Sequence, residues 1–364
     1  MAKQGAVAPA CYAMVLPGLE AVSGEEIVEE QGGEVTRTGP GVVVFRPPAI
    51  DRSLLDLRTV EDVFVLAWGT DQLTYRAEDL ERIRRWTASR VDWNQLLRIH
   101  HGVRPKPKGK PTYRLVTQMT GDHGYRRIDA GKALAAGLAG KLPASWRPAD
   151  ENAAVEIWLT IRGATAFCGL RLSDRTMRHR TYKIEHVTAS LRPTMAAAML
   201  RLARLKGARM LLDPMCGAGT FLAEALEFAR PSAEGLRVLG GDISPSALRA
   251  ARTNLRRLGD ATLLRWNAVQ LPLEDCSVDR VVSNPPFGKK HGRPGEIRGL
   301  YESMVKEYDR VLRPGGYAVL LVSDRRALHH AATSTGWKLN RQVAVRVLGQ
   351  AAEITAWKKA RQST

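Results

Sequence analysis

Several residue patterns that would announce a particular chemistry are missing from this 364-residue sequence. Its four cysteines, Cys11, Cys168, Cys216 and Cys276, are scattered without a C-x-x-C pair. That disfavours a zinc knuckle, an iron–sulfur cluster or a disulfide framework, and fits a reducing compartment. No apolar run approaches the roughly 18 residues of a membrane span, and the start M-A-K-Q-G-A-V-A-P-A lacks the apolar core of a signal peptide. A soluble, cytoplasmic protein with no membrane partner and no metal is therefore expected. Acids are also in short supply: 37 Asp and Glu face 55 Lys and Arg, a net charge of +18, which calls for a polyanionic partner.

What is present centres on residues 209–222, R-M-L-L-D-P-M-C-G-A-G-T-F-L. An apolar run without polar alternation reads as a buried parallel strand, ending at Asp213. Gly217 and Gly219 then form a tight turn into a helix, where backbone can approach a ligand closely. A second apolar strand, 236–240, leads to Asp242, 23 residues past Gly219 (242 − 219), where a carboxylate can accept from both hydroxyls of a ribose. No third glycine and no Gly-Lys-Ser/Thr cradle follows, so neither a pyrophosphate nor a triphosphate is favoured.

A second motif, S-N-P-P-F-G at 283–288, again follows an apolar strand. The two prolines force a rigid, extended turn and leave Phe287 as an exposed aromatic. The Asn284 side-chain oxygen and the Pro285 carbonyl can accept both N–H bonds of an aromatic amine, localising its lone pair on nitrogen, while Phe287 stacks on the ring. Such chemistry is governed by positioning and needs no strong base. Neither Cys216, in the glycine loop, nor Cys276, before the strand, is placed as a nucleophile; both read as packing residues.

The amino-terminal half reads as strand 12–16, a helix opened by a capping box at 23–26, strand 42–45, a helical stretch 54–58 and strand 60–68, a ferredoxin-like α+β unit. Between residues 82 and 114, ten Lys and Arg face one acid, Asp92. Helices are expected near 77–88 and 92–100, followed by R-P-K-P-K-G-K-P, which proline excludes from a helix. That loop reads equally as a solvated linker or as a phosphate-contacting hairpin tip. Strand 113–120, helix 128–141 and a hairpin 155–172 turning at Gly163 make a second α+β unit. From Pro193 onward strands and helices alternate as in a doubly wound parallel sheet. The short Gly-Gln-Ala-Ala connection before 353–357 requires an antiparallel last strand.

Together, D-P-M-C-G-A-G-T with a downstream Asp resembles the first motifs of class I S-adenosylmethionine-dependent methyltransferases, and N-P-P-F resembles the (D/N)-P-P-(F/Y) signature of those acting on exocyclic amines. The segments Y-A-M-V-L-P-G-L-E, Y-R-L-V-T-Q-M-T-G-D-H-G-Y-R-R-I-D and S-L-R-P-T-M-A-A-A-M-L-R-L resemble THUMP-domain RNA methyltransferases, closest to the tRNA guanine-N2 enzymes acting at position 6. The resemblance implies a ferredoxin-like domain (1–72), a THUMP RNA-binding domain (73–174), a linker (175–192) and a Rossmann-like methyltransferase domain (193–364).

It implies S-adenosylmethionine at Thr194, Asp213, Cys216, Gly217, Gly219, Thr220, Asp242, Ile243, Asn267, Ala268 and Asn284, with Asn284, Pro285 and Phe287 catalytic. The Asn at 267 replaces the family's usual Asp, though an amide oxygen can still accept a hydrogen bond. The implied partner is tRNA, held by its acceptor stem and 3′ single-stranded end by a monomer. Arg104, Lys106, Lys108, Lys110, Arg126, Arg127 and Arg178 would contact it; Lys289, Lys290 and Arg293 read either as a further clamp or as a solvated loop. Methylation of another RNA position or of a protein glutamine amide, and a non-catalytic RNA-binding module, are the competing readings.

Overall fold

Alternation with a period of two on strands whose both faces are apolar dictates a sheet covered on each side, and the carboxyl-terminal half is built this way. The computed structural model describes residues 9–105, 109, 111–188, 190–229, 235–287 and 294–361. They divide into two units, one formed by 9–14 with 24–177 and the other by 15–23 with 178–361.

The first unit holds β1 (Cys11–Val15) and α1 (Glu20–Gln31) except for Val15 and residues 20–23, then β2 (Glu34–Gly39), β3 (Val42–Arg46), a 3-10 turn (Arg52–Asp56) and β4 (Val60–Thr70). After them come α2 (Glu78–Ser89), α3 (Trp93–Val103), β5 (Thr112–Thr120), α4 (Arg127–Leu138), β6 (Arg147–Pro148), β7 (Val155–Arg162) and β8 (Thr165–Arg171). Their strands form one sheet in the order β2-β3-β1-β4-β8-β7-β5-β6. Strands read as belonging to 1–72 and to 73–174 thus join through the antiparallel β4–β8 ladder.

The capping box at 23–26 does not form. Helix α1 begins three residues earlier, at Glu20, and buried Ser23 lies inside it with its N–H on the Leu19 carbonyl. Glu26 instead accepts from the Arg58 and Thr59 amides and the Thr59 hydroxyl. By contrast, Asp92 caps α3 through the Gln95 amide, so that helix starts where its acid stands.

The second unit contains α5 (Thr176–His179) in part, then α6 (Pro193–Leu202), β9 (Met210–Asp213), α7 (Thr220–Ala229), β10 (Arg237–Asp242), α8 (Pro245–Leu255), β11 (Ala261–Arg265) and β12 (Val278–Ser283). It ends with α9 (Pro294–Val311), β13 (Leu312–Val322), α10 (Arg325–Ser334), β14 (Lys338–Val347) and β15 (Gln350–Lys358). The order is β11-β10-β9-β12-β13-β15-β14, parallel but for β15, which pairs antiparallel with β13 and β14. Leu211, Val282, Val319 and Leu321 enter one apolar cluster, and Leu212, Val281, Leu320 and Val322 the other, so neighbouring residues cover opposite faces. Leu19 and Val22, from far upstream, complete the first cluster.

The strand order reverses at β9, whose neighbours are β10 on one side and β12 on the other. A crevice opens at the carboxyl ends of such strands. Asp213 and Asp242 end their strands there, and Asn284 follows directly on β12. No helix among the described residues is long and apolar enough to cross a membrane.

Candidate active site

The turn after β9 is fixed from three sides. Gly217 and Gly219 have φ of +51° and +76°, and a Cβ at Gly219 would come within 3.2 Å of Ala251 on α8, so turn and helix packing both require glycine there. The Asp242 carboxylate accepts from the Gly217 amide at 3.0 Å and from the Ser244 amide at 2.9 Å. The Cys216 amide donates to the Gly241 carbonyl at 2.8 Å, and the Trp266 indole N–H to the Pro214 carbonyl at 2.9 Å. Trp266 fits because Gly241 has no side chain: a Cβ would lie 2.2 Å from the indole ring.

Residues 180–188, with 190 and 191, brace the same turn, Val187 lying beside Gly217. The Ile184 and Glu185 amides donate to the Asn254 side-chain oxygen, and Asn254 Nδ2 donates in turn to the Glu185 and Ala218 carbonyls. Lys183 Nζ donates to the Leu191 carbonyl and to Thr220 Oγ1 at 3.2 Å. Burial pulls the Lys183 ammonium down to about 8, with the Glu224 carboxylate opposing. Residues 178–192, read in the sequence as linker, are therefore part of the second unit.

The polar groups left over define what the crevice can hold. Asp213 is 1% exposed and pairs with no cation among the described residues; burial pushes its carboxyl well above the usual range, and the Asp242 charge adds to this. Thr194 Oγ1, at the start of α6, and Asn284 Oδ1 are buried without a hydrogen-bond partner among the described residues. Ile243, beside Asp242, is 64% exposed. A cationic amino acid end, a ribose diol and a flat apolar base match these three environments, so the residues fit S-adenosylmethionine. Cys216 Sγ is not poised to react, since burial first, then Asp213 and Asp242, drives its thiol pKa upward.

On the acceptor side, Pro285 is buried, Pro286 exposed and Phe287 half-buried. Two hydroxyls hold this turn: Tyr301 OH donates to the Pro286 carbonyl at 3.4 Å and Ser323 Oγ to the Phe287 carbonyl at 3.2 Å. Beyond them lies a cavity of about 570 Å³ lined by Phe287, Ser323, Asp324, Gly349, Gln350 and Ala351.

Other residues singled out by sequence are placed as follows. Thr220 starts α7 and is buried; Ala268 is buried; Asn267 is exposed, its side-chain oxygen accepting the Val269 amide at 3.2 Å. In the first unit Arg104 pairs with Asp174 at 2.9 Å, so part of its guanidinium is engaged. Arg126 and Arg127 are exposed at the start of α4, Arg126 at 3.3 Å from Asp129. Arg178 is half-buried in the second unit. Lys106, Lys108, Lys110, Lys289, Lys290 and Arg293 lie outside the described residues.

Sequence reasoning missed Lys183, Asn254, Trp266, Tyr301 and Ser323, which brace the motifs from a distance and form no local pattern. It also missed the aromatic group beside Arg126. Tyr75, 42% exposed, stacks on His123 at 4.9 Å, and His123 meets Tyr125 at 5.1 Å.

The UPF0020 family model, an RMKL-like methyltransferase domain, matches residues 180–352. The tRNA (guanine(6)-N2)-methyltransferase of Thermus thermophilus is 31% identical over 238 residues, covering 65% of this chain and 69% of that protein. The mouse U6 snRNA (guanine-N(2))-methyltransferase THUMPD2 is 35% identical over 225 residues, 60% of this chain and 40% of that protein. The chain spans less than half the length of such mammalian relatives. The crystal structure of TrmN from Thermus thermophilus superposes with a TM-score of 0.76 at 25% identity, covering 96% of this chain and 99% of that one. The chain belongs to the THUMP-domain class I S-adenosylmethionine-dependent RNA methyltransferases.

Proposed function

We propose that the chain methylates the exocyclic N2 of a guanosine in tRNA, at position 6 of the acceptor stem, acting as a monomer in the cytoplasm. The observation that carries this reading is the buried Asn284 Oδ1, without a partner among the described residues, at the crevice where the sheet order reverses. A buried carbonyl oxygen without a donor is costly unless a ligand supplies one.

S-adenosylmethionine, when bound, supplies an electrophilic methyl on a sulfonium. The chain's own residues do the rest. Asn284 Oδ1 and the Pro285 carbonyl accept the two N2 hydrogens, drawing the lone pair out of the purine ring and stabilising charge that develops on nitrogen. Phe287 stacks on the base, which must leave its helix to arrive there. The proton released from the methylated amine passes to water, so no side-chain base is needed. Burial of Cys216 above the range of a reactive thiolate is consistent with direct transfer. Asp213 and Thr194 would hold the methionine end, Asp242 the ribose, and Ile243 with Ala268 the adenine. The Asn267 oxygen, already used by Val269, would meet the adenine only through its second lone pair or its amide N–H.

The first unit would grip the RNA. Arg126 and Arg127 offer guanidiniums to phosphate, and Tyr75 with His123 offers a stacking face to an unpaired base. The guanine-N2 chemistry is common to the names of the bacterial and the mouse relative, whereas the RNA differs. tRNA is favoured because the bacterial protein is the one whose length this chain largely covers.

Asn284→Ala tests the reading. Methyl transfer should fall by about 10²–10³-fold, with affinity for tRNA retained within a few-fold. Undiminished turnover would remove the basis of the proposal.

A further inference from the structure

The cavity beyond the Asn-Pro-Pro-Phe turn is walled by more than the aromatic. Ser323 and Asp324 are consecutive: the first fixes the Phe287 carbonyl, and the second caps α10 by accepting the Ala327 amide on Oδ1 at 3.0 Å. The stacking ring and a carboxylate are thus held by one two-residue brace, with Asp324 Oδ2 outside the cap bond. The same cavity is lined by Gln350, half-buried at the first residue of β15, just past the positive-φ pair Leu348 and Gly349.

Resting on the proposed guanine-N2 reaction, we propose that this cavity is the site that tells guanine from other purines: Asp324 accepts the N1–H and Gln350 donates its amide N–H to O6. Guanine presents N2–H, N1–H and O6 in a row along one edge. Once Asn284 and Pro285 hold the amine, the next group along that edge is a donor, and the one after it an acceptor. A carboxylate followed by an amide is the complementary order. Adenine places an unprotonated N1 where Asp324 stands, so two lone pairs would face each other; sites built on such pairing reject the wrong partner strongly. The same bond has a chemical consequence. A carboxylate on N1–H raises electron density on the ring and on N2, in the direction the methyl transfer requires.

The test uses the full chain and two synthetic tRNAs that carry either guanosine or 2,6-diaminopurine riboside at the target position. The latter keeps the 2-amine but has a bare N1 and a 6-amine. The wild-type enzyme should favour guanosine by about 10²-fold in kcat/KM. Asp324→Asn keeps an oxygen to cap α10 and turns an N–H toward N1. It should lose about 10²-fold on guanosine while the preference ratio shifts toward diaminopurine. Gln350→Glu should move that ratio the same way. Affinity for S-adenosylhomocysteine and for either RNA should stay within about threefold in both variants. Equal losses on both substrates, or guanosine turnover unchanged in Asp324→Asn, would overturn the assignment while leaving the reaction intact. A wild-type product other than N2-methylguanosine, read from the first RNA alone, would overturn both.

Discussion

Removing the Asp242 carboxylate should separate what it does for the cofactor from what it does for the fold. Its two oxygens already accept from the Gly217 and Ser244 amides, and each retains a lone pair for the proposed ribose hydroxyl. Hydrogen bonds to a charged group contribute about 1.5–3 kcal/mol each, so two lost ribose bonds amount to about 3–6 kcal/mol. That corresponds to roughly 10²–10⁴-fold in dissociation constant. The two internal bonds are made to the same carboxylate at a half-buried site and by the same figure together contribute about 3–6 kcal/mol to folding, equivalent to a fall in Tm of roughly 6–24 °C. Titration calorimetry with S-adenosylhomocysteine on Asp242→Ala gives the first number and ligand-free thermal unfolding the second. Binding within about threefold of wild type would refute the ribose assignment. A fall in Tm well beyond that range would mean that the loop itself had collapsed, and the affinity loss could not then be assigned to the ribose.

Two further outcomes follow from the first unit. His100 is buried in α3, and burial, reinforced by the His101 and Arg104 charges, lowers its pKa from 6.5 to about 4. The folded state therefore resists a proton that the unfolded chain accepts: stability is whole above pH 6.5 and is lost as pH falls toward 4. The loss should reach about 2–3 kcal/mol near pH 4.5, and urea denaturation of His100→Phe should show a flatter acid limb; an unaltered limb would mean that other groups set it. Replacing Arg126 and Arg127 together with Ala should weaken tRNA binding and reduce the slope of log K against log salt by about 1.5–2. An unchanged slope would show that neither side chain meets a phosphate.

Local signals carried the catalytic unit into view. Asp213 and Asn284 stand at strand ends because apolar runs stop there, and the reversed β15 follows from a connection too short to cross the sheet. Pairings between distant segments were not legible. Strand β2, Glu-Val-Thr-Arg-Thr-Gly, has no apolar alternation because it is an edge strand paired with β3 alone. The β4–β8 ladder joins residues a hundred positions apart, so the sequence suggested two small units where one sheet runs through both. The Ser-x-x-Glu spacing at 23–26 matched a helix start, but Glu26 serves Arg58 and Thr59, partners no local pattern could name. Asn254 grips residues 184 and 185, and Ser323 grips Phe287, again across long separations. Motifs name the candidate ligand-binding atoms, while the residues that aim them are found only through tertiary contacts.

The central claim is tested most directly by incubating the chain with unmodified tRNA transcripts and methyl-labelled S-adenosylmethionine, then mapping the labelled nucleotide by nuclease digestion and mass spectrometry. The account predicts a single N2-methylguanosine at position 6 of the acceptor stem. Label on an adenine or a pyrimidine, on another atom of guanine, or on protein alone would contradict it.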